Sequence, residues 1–408
     1  MDTTNPGDRY SSRRRIAIVV ALGLLTALGP FTIDLYLPSF PRLKADLGIT
    51  DPQVQLTLSA TVVGFAVGQL LIGPLSDRFG RKLPLVAMTA LHVVASVLVA
   101  LAPNITFLTV LRALQGFAAA GGAVVAMAMA RDLFDGRRLV VMLSRLALIS
   151  GLAPIIAPVM GSWLVGLFNW RGIFWVLAAY GLVVVVLVAV LVPESRPAAD
   201  RSTGGVRELK GAYGRVLGDR TFVGVWITAA LAFSGLFSYV STSSVLLQET
   251  FGLSPGGFGL IFALCSVGVF IGVQAGSRLA SRLGPQWTLV MGTSVMVVAA
   301  LVLLGVGTIA TNAWQLVAPM FFYTFGFGSS MPSCQVIALQ NHRRDSGTAA
   351  SLMGALNMGL SAVVGPVIGT FAMTSAVPMA AAMLICALAS VVVLWVLVRP
   401  WQLQITLD

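Results

Sequence analysis

The sequence predicts an all-α integral membrane protein. It has twelve transmembrane helices in two pseudo-symmetric six-helix bundles, with both termini in the cytoplasm. Composition, the placement of basic residues and an internal repeat carry that expectation. Of 408 residues, 57% are hydrophobic and only 10% charged, with a mean hydropathy of +0.91. A soluble domain carries roughly 25% charged residues. The composition excludes a soluble enzyme, a disordered chain and a nucleic-acid binder, and leaves the lipid bilayer as the main solvent. The apolar stretches are continuous, as in residues 177–192, which disfavours the alternating pattern of a β-barrel.

A helix crossing the hydrocarbon core needs about 20 apolar residues. The spans are expected near 16–38, 54–75, 83–102, 105–130, 139–166, 172–192, 222–246, 258–280, 287–310, 314–338, 346–372 and 375–398. The first is read as a retained span, since no short apolar core with a cleavage site precedes it. With the N-terminus inside, the cytoplasmic segments hold Arg9, Arg13, Arg14, Arg15, Arg78, Arg81, Lys82, Arg131, Arg137, Arg138 and Arg145. They also hold Arg196, Arg201, Arg207, Lys210, Arg215, Arg220, Arg278, Arg282, Arg343, Arg344 and Arg399. Only Arg42, Lys44 and Arg171 fall outside, and Arg112 lies within a span. This bias sets the orientation and accounts for the net charge of +11 without nucleic acid.

The polar stretch 193–221 reads as a cytoplasmic linker between an N-terminal bundle, 1–192, and a C-terminal bundle, 222–408. Ala157-Pro158-Val159-Met160-Gly161 is echoed by Gly365-Pro366-Val367-Ile368-Gly369, and residues 75–80 by residues 279–284. Two similar offsets near half the chain length indicate parallel repeats, an arrangement that relates transporter halves.

Two charges stand out within apolar stretches. Asp34 lies about 6 Å, and Arg112 about 10 Å, from the outer end of its expected span at 1.5 Å per residue. Asp34 either faces a cavity or sits hydrated at the outer interface. Arg112 needs an acceptor or water, met either by Asp34 or by backbone carbonyls. A carboxylate held between a nearby cation and burial can bind and release a proton during a cycle.

Polar and aromatic residues at helical spacing mark a candidate substrate cavity: Tyr36, Gln55, Ser59, Gln69, Phe233, Phe237, Tyr239 and Asn357. Taken singly, each reads first as an interhelical or lipid contact. Gly73, Asp77, Arg78, Gly80 and Arg81 form a tight cationic turn, with Asp77 placed to cap a helix; alone, such a turn is a positive-inside anchor. Pro154, Pro158 and Gly161 predict a kinked, closely packed helix that serves gating or packing alone. His92 is expected to pack without polar company. Cys265, Cys334 and Cys386 show no metal or redox spacing. No phosphate-binding loop, metal motif or nucleophile–base pair is present, so neither a cofactor nor an enzyme is expected.

With these residues in hand, the chain resembles the major facilitator superfamily, and within it the twelve-span drug:proton antiporters of the bicyclomycin/chloramphenicol-resistance (Bcr/CflA) type. Residues 73–82 are similar to the superfamily loop signature; residues 108–116 resemble the fourth-span signature, whose arginine is Arg112. Residues 33–41 resemble the subfamily's first-span signature, carrying Asp34. The fifth-span signature departs from the antiporter pattern at Ala157 and Ser162, and the second loop copy has Ser281 in place of Asp77. The resemblance implies a monomer in the bacterial cytoplasmic membrane that exports small-molecule drugs, phenicol-like or bicyclomycin-like, against an inward proton flux. It implies proton coupling at Asp34 and Arg112, rocking of two halves, and a charge network around Asp77 with Arg131 and Ser346 as partners. The competing expectation is a proton-coupled symporter or facilitator for a small metabolite.

Overall fold

The computed structural model describes residues 10–198, 201, 206–342, 346–371 and 374–403. Arg9, Arg343 and Arg344 lie outside these residues, as do the side chains of Arg137, Arg207 and Lys210. Among the described residues the chain is helical throughout, with no strand. The helices are α1 (Ser12–Asp34), α2 (Phe40–Leu47), α3 (Asp51–Phe79), α4 (Lys82–Ala100), α5 (Ile105–Leu133), α6 (Gly136–Leu167) and α7 (Trp170–Leu191). They continue with α8 (Val206–Leu217), α9 (Arg220–Val245), α10 (Pro255–Leu283), α11 (Pro285–Ile309), α12 (Val317–Leu339), α13 (Ser346–Gly369) and α14 (Val377–Val393).

Helix starts follow side-chain chemistry. Asn104, Asn169, Asp219 and Ser254 each accept a bond from a backbone N–H in the first turn of the helix they precede. Thr50 and Gln53 form a capping box ahead of α3. The first expected span ends four residues early, at Asp34. Pro38 has no N–H to bond the Asp34 carbonyl, so the chain leaves the helix for a tight turn at Leu37–Ser39. The loop beyond it contains α2, a short helix that the sequence reading missed. Asp46 of α2 accepts bonds from Trp170 Nε1 at 2.8 Å and Arg171 Nη1 at 2.6 Å.

Eleven helical segments among the described residues are long and apolar enough to cross a membrane. The expected tenth span, α12, is 23 residues long but is not one of them. Tyr323, Thr324, Ser329, Ser330 and Ser333 lower its apolarity, and all five are buried. Packed against α9, α10 and α11, the helix faces protein over much of its surface and needs fewer apolar side chains.

Small residues set the closest packing. A Cβ on Gly116 of α5 would lie 2.7 Å from the carbonyl carbon of Thr61 on α3, and one on Gly64 2.8 Å from that of Ala113. Gly272, Gly276 and Gly328 bring α10 and α12 together in the same way.

Helices before residue 198 meet helices after residue 206 along two seams. On one, Gln55, Ser59 and Gln69 of α3 abut Gly369, Gly365 and Gly354 of α13, so the helices run antiparallel. On the other, Gly151 of α6 abuts Phe270 of α10, and Ser162 abuts Gly259.

Candidate functional site

The C-terminal end of α1 gathers the charged residues buried within apolar helices. A helix leaves its last carbonyls without intrahelical donors, and lipid cannot supply any. Here Arg112 of α5 supplies one: its Nη2 donates to the Thr32 carbonyl at 3.0 Å. Its Nη1 donates to Gln115 Oε1, one turn along α5. The guanidinium stacks over the Tyr36 ring at 4.1 Å and lies 5.4 Å from the Phe174 centroid. The fully buried cation is thus held by a carbonyl, an amide and two aromatic faces. The network extends from Gln115 Nε2 to Ser96 Oγ at 2.7 Å, and from the Tyr36 hydroxyl to Thr57 Oγ1 at 3.1 Å.

Asp34 is the last residue of α1 and is 7% exposed. Its side chain makes no hydrogen bond or ion pair among the described residues. Of the two partners open to Arg112, the structure shows a backbone carbonyl, that of Thr32, and no direct pair with Asp34. His92 departs from expectation: its Nε2 meets Thr32 Oγ1 at 2.8 Å.

The remaining candidate residues fall into separate groups. Gln55, Ser59 and Gln69 share the α3/α13 seam. Both amide atoms of Gln55, the Ser59 hydroxyl, Gln69 Oε1 and Asn357 Oδ1 have no hydrogen-bond partner among the described residues. Tyr239 stacks on Phe262 at 5.3 Å, Phe233 lies 5.9 Å from Phe327, and Phe237 is buried in the core. A cavity of about 460 Å³ opens between α11 and α12, lined by Val295, Val298, Val302, Pro319 and Phe322. It is apolar and touches none of the candidate residues.

On α6, Pro158 lacks the N–H that would bond the Pro154 carbonyl. Ser266 of α10 donates to that carbonyl at 3.1 Å. The helix runs unbroken through both prolines, and Gly161 packs on the Leu35 carbonyl at the α1 corner.

The turn between α3 and α4 is made at Gly80, whose φ of +91° favours glycine. Asp77 does not cap α4. Glu194 does, accepting from the Arg81 and Lys82 backbone N–H groups at 2.8 and 3.2 Å, and from Arg196 N at 2.9 Å. Burial raises the Glu194 carboxyl, but these donors and the Arg201 charge outweigh it and hold it below the ordinary carboxylate range. Asp77 pairs with Arg81 at 2.7 Å and with Arg196, while Arg81 also reaches Asp132 at 3.0 Å. Among the described residues these are the partners of Asp77, in place of Arg131 and Ser346. Arg78 lies 5.7 Å from the Phe79 ring, and Gly73 packs beside Val124.

The end of the bundle away from the N-terminus is tied differently. Lys44 bridges Asp51 and Glu249, Ser244 donates to the Leu37 carbonyl, and Gln248 donates to the Pro38 carbonyl at 3.2 Å. These ties join α2 and the α1 corner to the end of α9.

Residues 22–366 match the family model of the Major Facilitator Superfamily. The chain belongs to the major facilitator superfamily. As a member of the major facilitator superfamily it is a multi-pass transporter of the bacterial inner membrane, not an enzyme. It is 35% identical to the MFS-type transporter YdgK of Bacillus subtilis, over 92% of this chain and 94% of that one. It is 29% identical to a bicyclomycin resistance protein homolog of Haemophilus influenzae, over 91% and 94%. It is 33% identical to the multidrug resistance protein MdtL of Escherichia fergusonii, over 84% and 87%. These relatives are consistent with drug:proton antiporters of the Bcr/CflA type. Among solved structures, a mutant form of the nucleoside transporter NupG superposes with a TM-score of 0.76 at 13% identity, over 94% of this chain and 100% of that one. The partially occluded inward-open form of the E. coli xylose transporter XylE gives 0.73 at 15%, over 94% and 98%. Both show the superfamily fold.

Proposed function

We propose that this chain is a proton-driven exporter of amphipathic organic molecules, neutral or monocationic, of the phenicol or bicyclomycin kind. The observation that carries the reading is Asp34: a buried acid, free of any ion pair among the described residues, at the end of a membrane helix whose turn is braced by Arg112. Such a carboxyl can exchange a proton without first breaking a salt bridge. Arg112 supports it by fixing the backbone two residues away. The unpartnered polar atoms along the α3/α13 seam supply hydrogen-bonding groups for a substrate that carries few charges. The names of the Haemophilus and Escherichia relatives support the substrate class.

In this reading α12 completes the set of twelve spans and both termini are cytoplasmic. Two six-helix halves, joined by residues 193–221, rock as one monomer. The ties of Lys44, Ser244 and Gln248 close the outer end, and export requires them to part. The linker contacts of Asp77, Arg81, Glu194 and Arg196 hold the inner loop within the first half.

The test is drug accumulation in a pump-deficient host, with chloramphenicol, florfenicol and a cationic dye, comparing wild type with Asp34→Asn. Lowered accumulation by wild type, abolished by the substitution and by a protonophore, is the expected result. Unchanged, protonophore-sensitive efflux by Asp34→Asn overturns the role given to Asp34.

A further inference from the structure

We propose that His92 is a positioning residue for Asp34. It acts through Thr32, two residues earlier on the same helix end. This deepens the exporter reading and rests on the role given there to Asp34.

Thr32 is held on two sides. Its carbonyl accepts from Arg112 Nη2 at 3.0 Å, and its hydroxyl meets His92 Nε2 at 2.8 Å. The same hydroxyl lies 2.6 Å from the Leu28 carbonyl, which can only accept. The single hydroxyl proton is therefore spent on Leu28, and the imidazole must be the donor: Nε2 carries the proton toward Thr32. His92 and Thr32 are both fully buried, so no water competes for either group. The His92 ring is itself confined, since Gly181 of α7 lies close against its Nδ1 edge. Ser96 Oγ donates to the His92 carbonyl at 2.7 Å and accepts from Gln115, the residue that also holds Arg112.

The arrangement is a closed bracket. Arg112, Gln115, Ser96, His92 and Thr32 link α5, α4 and α1, and the last turn of α1 cannot rotate without breaking one of these bonds. Asp34 lies on that turn and has no side-chain bond of its own among the described residues. Its placement is therefore set by the backbone that His92 and Arg112 hold. The other ionisable side chains around this corner are Tyr36, Tyr239 of α9, which interacts with Asp34, and Cys265 of α10, which lies against Tyr239.

The test uses the full-length protein in proteoliposomes and dicyclohexylcarbodiimide, which modifies protonated carboxyls in apolar surroundings and needs no transported substrate. Modification of Asp34 is followed by peptide mass spectrometry across a pH series. His92→Leu and Thr32→Val each remove one side of the bond with little loss of volume. Each is expected to move the modification midpoint by about half a pH unit, the scale of one lost neutral hydrogen bond. The double variant moves no further than the larger single, because both remove one interaction. His92→Gln, which keeps an N–H donor, returns the midpoint toward wild type. A role in packing alone lowers thermal stability and leaves the midpoint unmoved. Thr32→Val serves alone if His92→Leu does not fold. Wild-type midpoints in the Leu and Val variants, or shifts that add in the double variant, overturn the proposal and leave the reading of Asp34 standing. An Asp34 that takes no label at any pH overturns that reading, and this proposal with it.

Discussion

Replacing Arg112 by lysine keeps the charge and removes the geometry. The guanidinium reaches the Thr32 carbonyl at 3.0 Å and Gln115 Oε1 at the same time, from two different nitrogens. A lysine ammonium is a single point and retains at most one of these. Losing one hydrogen bond to a charged group costs about 2 kcal/mol. The face contact with Tyr36 at 4.1 Å contributes about a further 1–2 kcal/mol in a dry site, and an ammonium, which is not planar and reaches less far, does not reproduce it. The sum, about 3–4 kcal/mol, corresponds to more than a hundredfold change in how often the α1 end is correctly held. Arg112→Lys is therefore expected to unfold at a clearly lower temperature in detergent and to lose most efflux, although its net charge is that of wild type. If Arg112 acted only as a positive charge, the lysine variant would melt and transport as wild type does. That result refutes the argument from geometry.

Gly116→Ala places a methyl 2.7 Å from the Thr61 carbonyl carbon, against backbone that cannot turn aside. The expected outcome is a separated α3/α5 pair, seen as a sharp loss of folded protein by fluorescence-detected size exclusion. Glu194 is held below the ordinary carboxylate range, so its contribution is complete at neutral pH and is lost as pH falls through its lower folded value. Glu194→Gln should speed amide exchange at Arg81 and Lys82 at neutral pH, and the difference from wild type should close in acid. Lys44→Gln leaves Asp51 and Glu249 facing each other without their shared cation. Maleimide labelling of a cysteine at Ser244, in a background lacking the native cysteines, should then be about fivefold faster, the scale of one modest ion pair.

The helices were legible because apolar runs of sufficient length have one stable fate in lipid. The stretch expected as the tenth span is a helix, α12, but it is not apolar enough to count as a membrane crossing, and its Ser329, Ser330 and Ser333 are buried. The same logic misses α2, which is too short and polar to register and is fixed by Trp170 and Arg171 from the start of α7. Asp34 and Arg112 were conspicuous because a charge in an apolar run is costly. Gln115, one helical turn from Arg112, could have been read from spacing. The Thr32 carbonyl could not, since a backbone acceptor has no letter in the sequence. His92 looked like a packing residue because its partner lies on another helix, sixty residues away. The partners of Asp77 were misjudged for the same reason: Arg196 belongs to a polar segment that folds back onto the loop, and Glu194, not Asp77, caps α4.

The central claim is that Asp34 carries the proton that drives export. The most direct measurement is drug-dependent proton movement in proteoliposomes made from wild-type and Asp34→Asn protein. Chloramphenicol, florfenicol and a cationic dye are presented one at a time, and an internal pH indicator reports the exchange. The account predicts that at least one compound moves protons in the opposite direction through wild type, and that Asp34→Asn abolishes the proton signal while the folded protein remains. Proton movement in the same direction as the solute, or an undiminished signal in Asp34→Asn, would contradict it.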